Sequence, residues 1–339
     1  MSVESQAETL RQEQIQMVVQ ALPSQTRTPN AKPVFQEITE ILQAQSQNPP
    51  YITIVHAVPQ DVAMEQVPAS PPSTPNQINT TDSYFDNQTI FTHAAPVPNY
   101  HPVSKSSNPI NLRPTGIITA PSSIHVATLE RYIPPTTGRE VSDFFSVTQR
   151  KSYLCDRLAE LSSQNGTLLL VYPTSTGAQT FAKKYVGPVI DPLLRRFCGL
   201  NDMSTNAAER LGKMAALQNM MAYETMSSRL ATLCHELTSR APAGRGPSSS
   251  YSVIHQEKTE VVLERSTWIE WFVEQETERM KQDLVNYQKD GGKMPSRRLD
   301  SATPYSLARE VIQDIRKSTD VAGGVGIELG VFVIRRSVN

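Results

Sequence analysis

The apolar run Leu168-Leu169-Leu170-Val171-Tyr172 limits most strongly what this chain can fold into. It has no polar alternation, so a strand made from it needs cover on both faces, as a central strand of an α/β sheet has. Asn165-Gly166 precedes it, and Pro173-Thr174-Ser175-Thr176-Gly177 follows as a polar turn into a segment of helical character that reaches Arg196. A buried strand that delivers a loop to the carboxyl edge of a parallel sheet stands where open α/β sheets hold ligands. Tyr172, Thr174, Ser175, Thr176 and Gly177 are therefore the candidate ligand loop.

Composition divides the chain near Thr115. Fifteen of the 25 prolines lie before that point, with nine acidic against five basic residues. From Gly116 onward the 27 basic and 24 acidic residues nearly cancel. The expected organisation is a flexible segment 1–32, a helix–strand pair 33–58 belonging to the core, a Pro-rich disordered insertion 59–115 and a main α/β domain 116–339. A net charge of −1 argues against broad electrostatic attraction to nucleic acid or an anionic membrane. Cys155, Cys198 and Cys234 are too few and too scattered for a disulfide framework or a four-cysteine zinc site. No run approaches the roughly 20 apolar residues of a membrane span, and no basic end leads into an apolar stretch. An intracellular protein, cytoplasmic or nuclear, without a metal site is the expectation; its protein partner and oligomeric state are not readable.

Within this frame, Ser5 to Leu22 has sparse apolar positions and suits at most a short helix. Val34, Ile38, Ile41 and Leu42 share a helical face, and Tyr51–His56 reads as a strand ending in His56. Ile90-Phe91 is a strand added back to the sheet or a surface anchor. Ile124–Ala127 is strand-like, and Leu129-Glu130-Arg131-Tyr132-Ile133-Pro134-Pro135 leaves it in an extended exit. Leu154, Leu158 and Leu161 set an amphipathic helix over about 152–162. Asp191-Pro192 reads as a helix start, and 204–237 as helix with a break near Tyr223. Tyr251–His255 and Glu260–Glu264 read as a hairpin, Thr267–Glu270 as a capping box, Thr303-Pro304 as the start of the last helix, and Ile327–Ile334 as the final strand. The carboxylates of Glu270, Glu274 and Glu278 repeat every helical turn and read as a solvated face.

The order strand, helix, Gly166-Thr167-Leu168-type strand, helices and terminal strand resembles the second half of a class I methyltransferase-like domain. The resemblance implies a Rossmann-like three-layer sandwich, with a mostly parallel sheet and a terminal antiparallel strand. It also implies a cofactor site opposite the candidate loop, on an edge carrying His56, Glu130 and Arg131. The sequence departs from that family at Ala57-Val58-Pro59-Gln60-Asp61, which has no glycine where the family's first strand turns toward its cofactor. Glu130-Arg131-Tyr132-Ile133-Pro134-Pro135 is not the Asn/Asp-Pro-Pro-aromatic order of amino-group methyltransferases. No P-loop, nucleophile elbow or HExxH pattern is present. The primary expectation is a degenerate Rossmann-like protein that acts as a non-catalytic interaction scaffold. The alternative is an S-adenosylmethionine-dependent methyltransferase with a non-standard cofactor loop. A third reading is nucleic-acid binding through Lys183, Lys184, Arg195 and Arg196.

Overall fold

The computed structural model describes residues 14–23, 33–45, 50–59, 89–97, 117–146, 152–239, 249–295, 303–318 and 324–338. Their strands form one sheet in the order β3-β2-β1-β4-β5-β7-β6. The strands are β1 (Gln14–Leu22), β2 (Tyr51–Pro59), β3 (Ile90–Val97), β4 (Val126–Arg131), β5 (Gln164–Pro173), β6 (Ser249–Val261) and β7 (Ile327–Val338). The first five run parallel, whereas β7 lies antiparallel between β5 and β6. This is the Rossmann-like, class I methyltransferase-like fold, with the antiparallel end that the resemblance implies.

The strand expected to open the sheet is its second. Gln14–Leu22, read as part of a flexible or weakly helical segment, is the inner strand β1, pairing with β2 on one side and β4 on the other. Its period-two pattern explains the placement. Met17 and Val19 point into the layer beneath α1 (Val34–Ala44), with Phe35, Ile52, Ile54 and Ile90, while Val18 joins the core on the opposite face. Ile90-Phe91 does enter the sheet, as the start of the edge strand β3.

The apolar run Leu168–Tyr172 is a strand covered on both faces. Leu168, Leu170 and Tyr172 pack with α2 (Gly138–Phe144), α3 (Tyr153–Glu160) and α7 (Tyr223–Ser239). Leu169 and Val171 face the other layer. That layer holds α5 (Gly187–Leu200), α6 (Thr205–Gly212), α8 (Arg265–Lys289) and α9 (Pro304–Lys317). Ser152 starts α3 by accepting from the Cys155 amide, and Thr303 starts α9 within a capping box.

Three local readings are corrected. Asp191-Pro192 does not begin a helix: α4 (Ser175–Thr180) runs through a π-helical segment, Phe181–Val186, into α5, and the exposed Pro192 is carried inside it. The supposed hairpin is one strand, β6, because β7 offers it a continuous partner interrupted only by a bulge between Val253 and His255. Thr267 caps nothing; α8 starts earlier, with Glu264 at its N-cap, and Glu270 pairs with Arg316 at 2.9 Å. Most of the expected Pro-rich insertion, residues 60–88 and 98–115, lies outside the described residues.

His56 is buried within β2, its ring edge-on to Phe35 at 4.9 Å, and its Nε2 has no hydrogen-bond partner among the described residues. Burial, with a smaller contribution from His93, pushes its pKa down to about 4. The folded protein keeps the ring neutral where the unfolded chain, titrating near 6.5, takes up a proton. Stability from this site is whole above about pH 6.5 and drains away as the pH falls toward 4, by up to about 3 kcal/mol. Urea unfolding at pH 7.5 and 4.5 should show a smaller acid loss for His56→Leu than for the native chain. Equal losses would remove this account.

Candidate functional site

The strand order reverses between β1 and β4, so their carboxyl ends flank the crevice where ligands of open α/β sheets bind. The register fixes which side chains meet there. Gln20 stands level with Leu129 on β4, and Leu129 with Leu170 on β5, so the three share one face. One pleat further along that face stand Leu22, Arg131 and Tyr172. Glu130 and Val171 turn to the opposite face.

This edge is polar and nearly dry. Gln20 is 3% exposed and Tyr172 1%, and neither Gln20 Oε1 nor Tyr172 Oη has a hydrogen-bond partner among the described residues. Such atoms ordinarily find a protein group, a water or a ligand, because leaving one unpaired costs about 1–3 kcal/mol. Arg131 donates to Gln275 Oε1 at 3.0 Å and lies 4.0 Å from the Glu140 carboxylate. Burial raises the Glu140 pKa, with Arg131 opposing the shift, and burial likewise raises that of Tyr172. On the other face Tyr132 donates to Glu130 at 2.7 Å and stacks on Trp271, ring centroids 5.7 Å apart. Burial first, then the Glu130 charge, drives the Tyr132 pKa up, so its phenol keeps its proton at neutral pH.

The loop after β4 is clamped to α8. Gln275 Nε2 donates to the Pro134 carbonyl at 2.8 Å, and Thr136 Oγ1 donates to Glu276 Oε1 at 2.8 Å. The clamp continues through Arg279, which pairs with Glu276 and donates to the carbonyls of Arg210 and Leu211 at the end of α6.

The sequence-derived residues do not form one cluster. His56 lies on β2, separated from β5 by β1 and β4, and faces α1. Thr174 is spent on structure: its hydroxyl donates to Glu328 Oε1 at 2.5 Å and accepts from the Gly177 amide at 3.1 Å. Gly177 packs so closely on β7 that a Cβ there would run into the Glu328 carbonyl oxygen. Ser175 donates its amide to the Met221 carbonyl at 2.7 Å, and Thr176 points to solvent. Glu130, Arg131 and Tyr172 do share the β4–β5 edge. Gln20 was missed, because a glutamine in a Gln-rich N-terminal stretch carries no signal until Gln14–Leu22 is known to be a strand. Lys183, Lys184, Arg195 and Arg196 are exposed along the α4–α5 helix. Among the described residues, no group of three or more His, Cys, Asp or Glu side chains is placed to hold a metal, and no helix is long and apolar enough to cross a membrane.

No family model and no curated protein matches the chain. Among solved structures it is similar to loganic acid methyltransferase with SAH, at 10% identity and a TM-score of 0.49 over 97% of this chain and 86% of that one. It is also similar to coclaurine N-methyltransferase bound to N-methylheliamine and SAH, at 8% identity and a TM-score of 0.28 over 98% and 71% of the two chains.

S-Adenosylmethionine finds a partial fit at the crevice. The orphaned Gln20 and Tyr172 atoms and the Arg131 guanidinium are suitable polar contacts for it. A glycine turn is missing: the first glycine of the chain is Gly116, so neither β1 nor β2 can be followed by one. β2 also ends in His56-Ala57-Val58-Pro59, without a carboxylate for ribose hydroxyls.

The packing of Gly177 on β7 yields a direct test. Gly177→Ala should destabilise the protein by about 2–3 kcal/mol, since the obstructing atoms are the Glu328 backbone within the sheet and leave little room to relax. Thr176→Ala, one residue away and exposed, should change stability by less than about 0.5 kcal/mol in the same urea titration.

Proposed function

We propose that the protein is an S-adenosylmethionine-dependent methyltransferase whose cofactor lies in the crevice between β1 and β4. The observation that carries this reading is the topological switch at those two strands, with buried, unpartnered polar atoms of Gln20 and Tyr172 toward the carboxyl ends of β1 and β5. When bound, the cofactor supplies an electrophilic methyl group on a sulfonium. Gln20, Arg131 and Tyr172 would hold it from one face of the sheet. On the other face, Tyr132 keeps its proton and directs it at Glu130, while the stacked Trp271 covers the edge from α8. The Gln275 and Thr136 bonds fix the loop that carries these groups, so orientation comes from α8.

One observation favours a second reading, a non-catalytic scaffold. With no glycine before Gly116, the backbone after β1 cannot approach a ligand in the way a glycine turn permits. Isothermal titration calorimetry with S-adenosylmethionine separates the two. Saturable binding with a dissociation constant below about 100 μM, or −5.5 kcal/mol or better, supports the methyltransferase. The absence of binding heat at millimolar cofactor leaves the scaffold.

A further inference from the structure

The missing glycine turn raises the question of what would recognise the polar end of a cofactor in this crevice. We propose that Gln20, Arg131 and Tyr172 form a side-chain cradle for an α-amino-acid group, the tail of the S-adenosylmethionine molecule. This inference rests on the reading given under Proposed function.

Three features of the edge support it. First, the three side chains project from the same face of three consecutive strands, β1, β4 and β5. Adjacent strands lie roughly 5 Å apart, so Arg131 sits one strand from each of the others. Secondly, the unsatisfied atoms have the required character. Gln20 Oε1 is an acceptor without a donor, which suits an ammonium, and Tyr172 Oη donates or accepts; beside them Arg131, bonded to Gln275 and 4.0 Å from Glu140, adds a guanidinium for a carboxylate. Thirdly, the atoms are enclosed rather than merely exposed and solvated: Gln20 and Tyr172 are both more than nine-tenths buried. An apolar ligand would leave Gln20 and Tyr172 unpaired. A lone carboxylate or phosphate would bring a second acceptor to Gln20 Oε1. A zwitterion satisfies both ends.

The neighbouring groups are compatible with this assignment. Glu140 lies 4.0 Å from Arg131, and its carboxylate is also engaged by the Thr137 amide at 3.1 Å. Gln275 holds one nitrogen of the guanidinium and fixes the arm without neutralising it. Phe144 and Phe145 pack on the Tyr172 ring at 4.7 and 5.2 Å between centroids, which locks the direction of its hydroxyl. Recognition would then come from side chains on rigid strands and not from backbone amides of a turn.

Calorimetry on the full chain tests the cradle with two probes. S-Adenosylhomocysteine carries the amino-acid tail; 5′-methylthioadenosine keeps the nucleoside and the sulfur but lacks it. The native protein should bind the first at least about tenfold more tightly. Gln20→Leu and Tyr172→Phe should each erase most of that preference while leaving 5′-methylthioadenosine affinity within about twofold. Tyr172→Phe is nearly isosteric and guards against a folding defect in the other variant, and thermal melting checks both. If neither probe binds the native chain, the methyltransferase reading falls and the cradle with it. If both probes bind alike, or the preference survives either substitution, the cradle is overturned while the cofactor site stands; the buried atoms are then satisfied by internal water.

Discussion

Glu276 is a carboxylate nearly withdrawn from water in the middle of α8, and Arg279 makes that burial tolerable. An isolated buried carboxylate is costly enough that removing its partner typically destabilises a protein by about 3–5 kcal/mol. Here the pair does more than cancel charge. Thr136 donates to Glu276 from the loop after β4, and Arg279 reaches the last carbonyls of α6 while also pairing with Asp283 at 2.6 Å. A single turn of one helix therefore ties the carboxyl edge of the sheet to a helix of the outer layer. Gln275, next in sequence, extends the tie to Arg131 and to the Pro134 carbonyl.

The consequence for the site is rigidity where a loop would otherwise be free. Residues 132–137 contain two prolines and no strand partner, so their own backbone bonds cannot hold them. Side chains of α8 replace those bonds. The cap of α2 continues the same logic: Thr137 and Glu140 satisfy each other's amides, and the Glu140 carboxylate faces Arg131. Position and charge at the β4 edge are thus set by groups more than a hundred residues apart in sequence.

How legible this was varied with the kind of signal. β5, α3 and α9 were readable because their patterns are local: an unbroken apolar run, three leucines on one face, a threonine before a proline. β1 was not, because Gln14, Gln16 and Gln20 break its apolar face and glutamine is compatible with helix. The alternation of Ile15, Met17 and Val19 was the available signal, and it becomes decisive only when β2 and β4 stand on either side. Taking Tyr51–His56 as the opening strand shifts the cofactor edge by one strand and draws in His56, which faces α1. Glu130 and Arg131 keep their place at the edge because both lie on β4. The α8 clamp was invisible for another reason: residues 275, 276 and 279 look like one stretch of a solvated helix, and only tertiary contact separates the buried Glu276 from the Arg316-paired Glu270.

Two residues of the loop after β5 serve the fold. Thr174 and Gly177 are committed to β7 through Glu328, an arrangement that locks the antiparallel strand against the parallel half of the sheet. The one side chain of that stretch that remains turned to the crevice face is Tyr172, held by two phenylalanines and lacking a partner for its hydroxyl. In a chain without an early glycine, polar recognition at the edge of the sheet must come from side chains, and side chains recognise reliably only when packing fixes their direction. Phe144, Phe145 and Gln275 impose that condition on Tyr172 and Arg131. The feature that speaks against an ordinary cofactor turn and the feature that speaks for a ligand are therefore found on the same edge, and the second is intelligible as a response to the first.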